Sequence, residues 1–358
     1  MRSVAFFTPG LKIGGIERVF LTYAAALSER GYNVTYLVCK DDGLYTNELP
    51  IGVKLVSLGN KRLRDLIIPL YQYLKSNQVD FLISGSVVAN ALCILLSKWS
   101  GSKTKIVVSH HNYFNIEQQY VLSKCIIHCL YNSAYRIFAV SKGIADLLLK
   151  NRVKSNKLAT IYNPIDIDLI QKSAAQKTSN ILPDKYILFI GRLVPVKNLP
   201  FLMEAYHLFE QKNPDCDLVI LGDGTIRKQL EEKSNALHLE HKIHFMESRS
   251  NPYPIINQAT LIVLPSLSEA LPTVILEAFA LGKTVVATPT MGAIDLLESG
   301  KLGYISNEFD NIQAFSETIS LGMNHPISVD VLQEKAIQFS IETQVIALEE
   351  LLNPHSSQ

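Results

Sequence analysis

Short apolar runs alternate with helix-spaced segments twice along this chain, and that alternation constrains the fold more than any other feature. Val4 to Phe7 reads as a first strand. Ile16, Val19, Phe20, Tyr23, Ala24 and Leu27 then share one helix face that stops near Gly31. Further strands are expected at Asn33 to Cys39, Phe81 to Ile83, Ile106 to Val108 and Ile137 to Val140, the last running into Ser141-Lys-Gly143 as a helix cap. A break follows near Tyr162-Asn-Pro-Ile-Asp166, and the polar stretch from Gln171 to Ser179 reads as a linker. A second series begins at Tyr186 to Ile190 and continues with Leu218 to Leu221, Ile243 to Phe245, Leu261 to Leu264, Thr284 to Ala287 and Gly303 to Ile305. Strands linked through helices form parallel sheets whose faces are both covered. At 358 residues the chain has the length for two such domains. The expected fold is therefore α/β, with Rossmann-like domains over residues 1–165 and 166–330 and a C-terminal helix over 331–358.

Composition narrows the partners. An apolar fraction of 47% and a charged fraction of 19% belong to a folded globular protein, and a net charge of +1 gives no reason to expect nucleic acid. The opening Met1-Arg-Ser-Val-Ala-Phe-Phe7 is too short for a signal peptide's apolar core, and no run reaches the roughly 18 apolar residues of a membrane span. Five scattered cysteines, Cys39, Cys93, Cys125, Cys129 and Cys216, form no C-x-x-C pair. They read as core thiols in a reducing, cytoplasmic setting.

The segment Leu264-Pro-Ser-Leu-Ser-Glu-Ala-Leu-Pro-Thr-Val-Ile-Leu-Glu-Ala278 carries the strongest chemical signal. Glu269 falls in a strand-to-helix loop, and Glu277, eight positions on, falls in the second turn of the helix that Pro272 opens. Two carboxylates beside a helix start, where backbone N–H groups converge, suit a sugar carrying a phosphate. The plain alternative is a solvated loop acid and a surface helix acid. Upstream, Gly191-Arg192-Leu-Val-Pro-Val-Lys197 follows the first strand of the second half, so a glycine turn and two cations sit where a diphosphate is held. Gly14-Gly15 opens the first long helix, where small residues let a phosphate approach the helix terminus. Ser109-His110-His111-Asn112 follows a strand and brings two imidazoles to its carboxyl end.

Glu269 to Gly282 resembles the E-x7-E element of the retaining glycosyltransferases of family 4, and the likeness extends over nearly the whole chain. It implies the GT-B fold, with two parallel-sheet domains facing a central cleft and the final helical stretch, Ser328 to Leu352, crossing back to the first domain. It further implies a nucleotide-diphosphate sugar, with UDP the expected nucleotide, and a glycan or lipid-linked acceptor in bacterial polysaccharide or lipopolysaccharide synthesis. No cofactor or metal is implied. Arg192 and Lys197 match the family's phosphate-binding pair. The implied donor contacts are Gly14, Gly15, Arg192, Lys197, the Glu269-Ala270-Leu271-Pro272 loop and Glu277, with Glu277 on the ribose and Glu269 on the sugar. His111, before Asn112, aligns with the family's active-site histidine, and His110 is the runner-up. Asp295 stands where many relatives have Glu, and Phe245-Met-Glu-Ser248 lacks the glycine common in the base-reading loop.

Other patterns compete. Gly222-Asp-Gly-Thr-Ile-Arg227 begins like a dinucleotide fingerprint, but Arg227 replaces the third glycine and no acidic residue ends a following strand. The resemblance to family-4 enzymes implies that this strand-end G-x-G is a structural turn. Asp166-Ile-Asp168 and Asp215-Cys-Asp217 spell D-x-D, a metal-binding pattern of another glycosyltransferase fold, and read as chance occurrences. Lys61-Arg-Leu-Arg64, ahead of Leu66, Ile67, Ile68 and Leu70, fits either a peripheral patch on the inner membrane face or a solvated face over a core helix. Two other functions share the architecture: a sugar-nucleotide epimerase and a catalytically silent partner subunit.

Overall fold

Every strand pairing among the described residues is parallel, as buried apolar runs joined through helices require. The computed structural model describes residues 2–10, 15–40, 49–59, 63–111, 117–176 and 182–353. They form two units, Met1–Pro164 with Ile341–Gln358, and Ile165–Ser340.

The first unit holds strands β1 (Ser3–Gly10), β2 (Asn33–Lys40), β3 (Val53–Ser57), β4 (Phe81–Ser84), β5 (Lys105–His110), β6 (Arg136–Ala139) and β7 (Leu158–Thr160), in the order β3-β2-β1-β4-β5-β6-β7. The second holds β8 (Tyr186–Ile190), β9 (Asp217–Leu221), β10 (Ile243–Met246), β11 (Leu261–Leu264), β12 (Val285–Ala287) and β13 (Tyr304–Ile305), in the order β10-β9-β8-β11-β12-β13. Each chain path starts mid-sheet, runs to one edge and returns to build the other. The direction reverses between β1 and β4 in one sheet and between β8 and β11 in the other. Such switch points open a crevice at the strands' carboxyl ends, where doubly wound sheets bind ligands.

In the first unit, Phe6 of β1 packs at a tilt against Phe20 of helix Gly15–Glu29, with ring centroids 5.2 Å apart, and Tyr23, Val345 and Leu348 complete the same buried cluster. In the second, Leu202, Tyr206 and Phe209 of helix Leu199–Glu210 meet Phe315 and Ile319 of helix Ile312–Asn324 over the sheet.

Several expectations are corrected. The polar stretch expected as a linker is helical from Gln171 to Ala174, part of helix Ile167–Ala174, because Asp166 caps it and Ile170 and Ala174 are buried. Residues 177–179 of that stretch lie outside the described residues. The C-terminal stretch is two helices, Val329–Ile337 and Ile341–Leu352, the first grouped with the second unit and the other with the first. Between them Ser340 bridges Ile165, where the chain enters the second unit. Cys125 and Cys129 are exposed rather than core thiols, since helix Glu117–Leu130 turns them to solvent; Cys39, Cys93 and Cys216 are buried. In the basic-then-apolar segment, Lys61 and Arg62 lie outside the described residues, Leu66 and Leu70 are buried, and Ile67 and Ile68 are exposed. No helix among the described residues is long and apolar enough to cross a membrane.

Candidate functional site

In the second unit the two strands flanking the switch point supply the two loops that the sequence singled out. The loop after β8 carries Arg192 and Lys197, and the loop after β11 carries Glu269. Although 72 positions apart, Lys197 and Glu269 form an ion pair from Lys197 Nζ to Glu269 Oε1, with side chains only 19% and 16% exposed. Ser266 Oγ, itself buried, donates to the same Oε1 at 2.9 Å. The loops are also joined through backbone, Leu267 N donating to the Val196 carbonyl at 2.9 Å, and Thr288 Oγ1 donates to the Ser266 carbonyl at 2.5 Å. Arg192 is exposed and makes no side-chain hydrogen bond or ion pair among the described residues, which leaves its guanidinium available to an anion.

Beneath the cations the backbone is packed without room for side chains. Gly191 and Gly222 have φ of +154° and +152°, and a Cβ on Gly222 would stand 2.0 Å from the Gly191 carbonyl oxygen. A Cβ on Gly224 would meet the Leu193 carbonyl at 2.1 Å. Leu193 N donates to the Asp223 carbonyl at 2.8 Å, so the G-x-G is a structural turn that supports the Arg192 loop. Asp223 Oδ2 in turn accepts from Ser248 N and Oγ at 2.8 and 2.5 Å, and these bonds hold its carboxyl below the usual range.

Helix Thr273–Ala280 follows the second loop, with Pro272 as its N-cap residue, which places Glu277 in its second turn, 8% exposed. Leu271 is buried. Gly292 N donates to the Glu269 carbonyl at 3.1 Å, and a Cβ on Gly292 would come within 2.6 Å of Pro272 Cδ and 2.9 Å of the Ala270 carbonyl. The loop from Glu269 to Pro272 is thus clamped against the start of helix Met291–Leu296, to which Asp295 belongs.

In the first unit Gly15 opens helix Gly15–Glu29, and nothing lies within 4 Å of where its Cβ would be. Gly14 and Asn112 lie outside the described residues. The two histidines separate by environment. His110, 1% exposed at the end of β5, has Nδ1 3.0 Å from Tyr131 Oη. That hydroxyl accepts from Asn90 Nδ2 at 3.0 Å, and Asn90 Oδ1 accepts from Ser84 Oγ at 2.6 Å, a buried polar network that ties the imidazole into the core. His111 lies just past the strand and keeps part of its surface exposed, while protein atoms enclose its ring. Its Nε2 is 2.5 Å from Ser109 Oγ, and its ring packs edge-on to Phe20 at 5.8 Å.

Burial first, and then His110, lower the His111 pKa to about 3. A pKa so depressed leaves its imidazole neutral at physiological pH, able to offer hydrogen bonds rather than charge. A base depressed below its ordinary 6.5 makes a stability contribution that is complete above 6.5 and is lost as pH falls toward 3. His111→Asn is expected to flatten the stability curve between those limits, as read by denaturant unfolding at successive pH. An unchanged slope would show that His111 is not buried neutral.

One aspartate of each D-x-D has a structural partner. Asp166 Oδ1 accepts from Leu169 N at 2.9 Å, and Asp217 pairs with His244 and Lys242 at 2.7 and 3.4 Å. Sequence reasoning missed Ser266, Thr288 and the Asp223–Ser248 contact. The first had a readable cue, a small polar residue three positions before the loop acid; the others are contacts between distant loops.

Comparison with known proteins agrees with this fold. The model for Glycosyltransferase Family 4 matches residues 13–169, and that for Glycosyl transferases group 1 matches residues 171–339. A Haemophilus influenzae protein named only as an uncharacterized glycosyltransferase is 25% identical over 342 residues, covering 91% of this chain and 92% of its own. A Campylobacter jejuni 4-alpha-N-acetylgalactosaminyltransferase, named for an undecaprenol diphosphate-linked sugar, is 28% identical over 332 residues and 87% of either chain. The structure of Anabaena HepE with UDP and glucose superposes with a TM-score of 0.80 at 19% identity, covering 99% of this chain and all of that one. With one family model on each half, full-length relatives and a shared architecture over both sheets, the chain belongs to the family-4, group 1 glycosyltransferases of the GT-B fold.

Proposed function

We propose that the protein moves a sugar, with retention at its anomeric carbon and without a metal, from a UDP-sugar to a glycan or lipid-linked acceptor of bacterial surface polysaccharide synthesis. The observation that carries this reading is the convergence of Arg192, Lys197 and the Ser266-anchored Glu269 at the carboxyl ends of β8 and β11. The cations stabilise charge building on the departing diphosphate, the principal electrostatic task of such a transfer. Glu277 accepts from ribose hydroxyls, and Glu269 from the sugar. His111, rather than the network-bound His110, takes the sugar-side role, a part assigned through family resemblance alone. The names of the Campylobacter relative and of the HepE complex support the lipid-linked acceptor and UDP respectively. Exposed Ile67 and Ile68 beside the basic run support attachment at a membrane surface.

Incubation with a panel of UDP-sugars, with and without membrane-lipid extract, tests the proposal. Transfer needs the acceptor, epimerisation does not, and a silent partner subunit does neither. Because side chains neutralise the diphosphate and Asp166 and Asp217 are engaged elsewhere, UDP release is expected to persist in EDTA. Complete loss, restored by manganese or magnesium, would return the D-x-D aspartates to the site.

A further inference from the structure

Lys197 and Glu269 answer to different parts of one donor, and they also pair with each other. Both hydrogen bonds to the Glu269 side chain among the described residues end on Oε1, from Lys197 and from Ser266. That anchoring leaves Oε2 as the acceptor open to a ligand hydroxyl. It also keeps the carboxylate from swinging away when a diphosphate arrives, because Ser266 is buried and its carbonyl is held by Thr288. A free nucleoside diphosphate must therefore draw Lys197 from its partner and take its place beside a fixed negative charge. An intact sugar nucleotide meets the same charge but offers Oε2 a hydroxyl in return.

From this we infer that Glu269 discriminates between donor and spent nucleotide: it holds Lys197 against the free diphosphate and so favours product release after transfer. The inference rests on the donor reading above. It goes beyond it by giving the acid a role against a ligand it does not recognise. Replacing Glu269 by its amide should then strengthen binding of free UDP while slowing transfer, opposite signs from one substitution.

Titration calorimetry of UDP against wild type, Glu269→Gln, Lys197→Ala and the double variant tests it, with Glu269→Ala as a second replacement should the amide fold poorly. Glu269→Gln is expected to bind UDP about 3- to 10-fold more tightly, as releasing one half-buried ion pair allows. Most of that gain is expected to vanish in the Lys197→Ala background, since it acts through the lysine. A Glu269 variant that binds UDP no better than wild type overturns the inference. So does a gain that survives whole without Lys197, which would reduce it to simple charge repulsion. Failure of wild type to bind UDP, GDP or ADP would instead sink the donor reading, and the inference with it.

Discussion

Arg192→Ala and Lys197→Ala are each expected to lower kcat/KM by about 10- to 150-fold, the equivalent of ~1.5–3 kcal/mol for a charge-assisted hydrogen bond. The two losses have different origins. Arg192 is exposed and without side-chain partners among the described residues, so its removal is expected to cost only the proposed phosphate contact and to leave the fold untouched. Its melting temperature should match wild type. Removing Lys197 strands Glu269, whose side chain is 16% exposed, beside a Ser266 that satisfies only part of it. Some stability should be lost as well, discounted because water still reaches the carboxylate. On the proposed reading the two cations serve one diphosphate, so the double variant should not be the simple sum of its parts. Steady-state UDP release, with calorimetry for nucleotide affinity, measures both effects. Unchanged UDP affinity in both variants would remove the pair from the phosphate site.

Gly222→Ala is expected to damage the second unit more than any exposed substitution. At φ +152° an L side chain is strained, and its Cβ would stand 2.0 Å from a backbone carbonyl that no rotamer change can move. That carbonyl belongs to Gly191, whose own N–H donates to the Leu221 carbonyl at 3.1 Å, so relief would have to break the seam between β8 and β9. We expect a loss of about 3–5 kcal/mol, in the range of the most destabilising substitutions, and a melting temperature lower by roughly 10 °C. Gly224→Ala should behave alike, its Cβ 2.1 Å from the Leu193 carbonyl. Gly15→Ala is the control: its Cβ meets nothing within 4 Å, and alanine favours a helix. Its stability should hold, and any defect should appear in ligand affinity. Unfolding of Gly222→Ala within about 0.5 kcal/mol of wild type would show that the seam yields more easily than backbone packing implies.

Apolar runs and helical spacing determined much of this protein without reference to any contact. Tyr186–Ile190 and Leu261–Leu264 were legible to the residue, because four or five apolar residues bounded by polar ones have few other uses. Val53–Ser57 and Leu158–Thr160 were not, because Lys54 breaks the apolar run in the first and the second has only two apolar residues, both half-exposed. The acids of E-x7-E and the cations after β8 were legible as separate motifs, each resting on a strand, a turn and a helix that neighbouring residues encode.

Only the tertiary structure decided what these motifs do together. The Lys197–Glu269 pair, the Ser266 anchor and the approach of Gly222 to Gly191 are contacts between different loops, and each arises only once β8, β9 and β11 lie side by side. The same holds for His110 and His111, neighbours with one chemistry, of which burial and the Tyr131 network set the first inside the core and left the second at the strand's end. Local periodicity records which element a residue joins. What it touches depends on chain that is distant in sequence, and that information exists only in the packed fold.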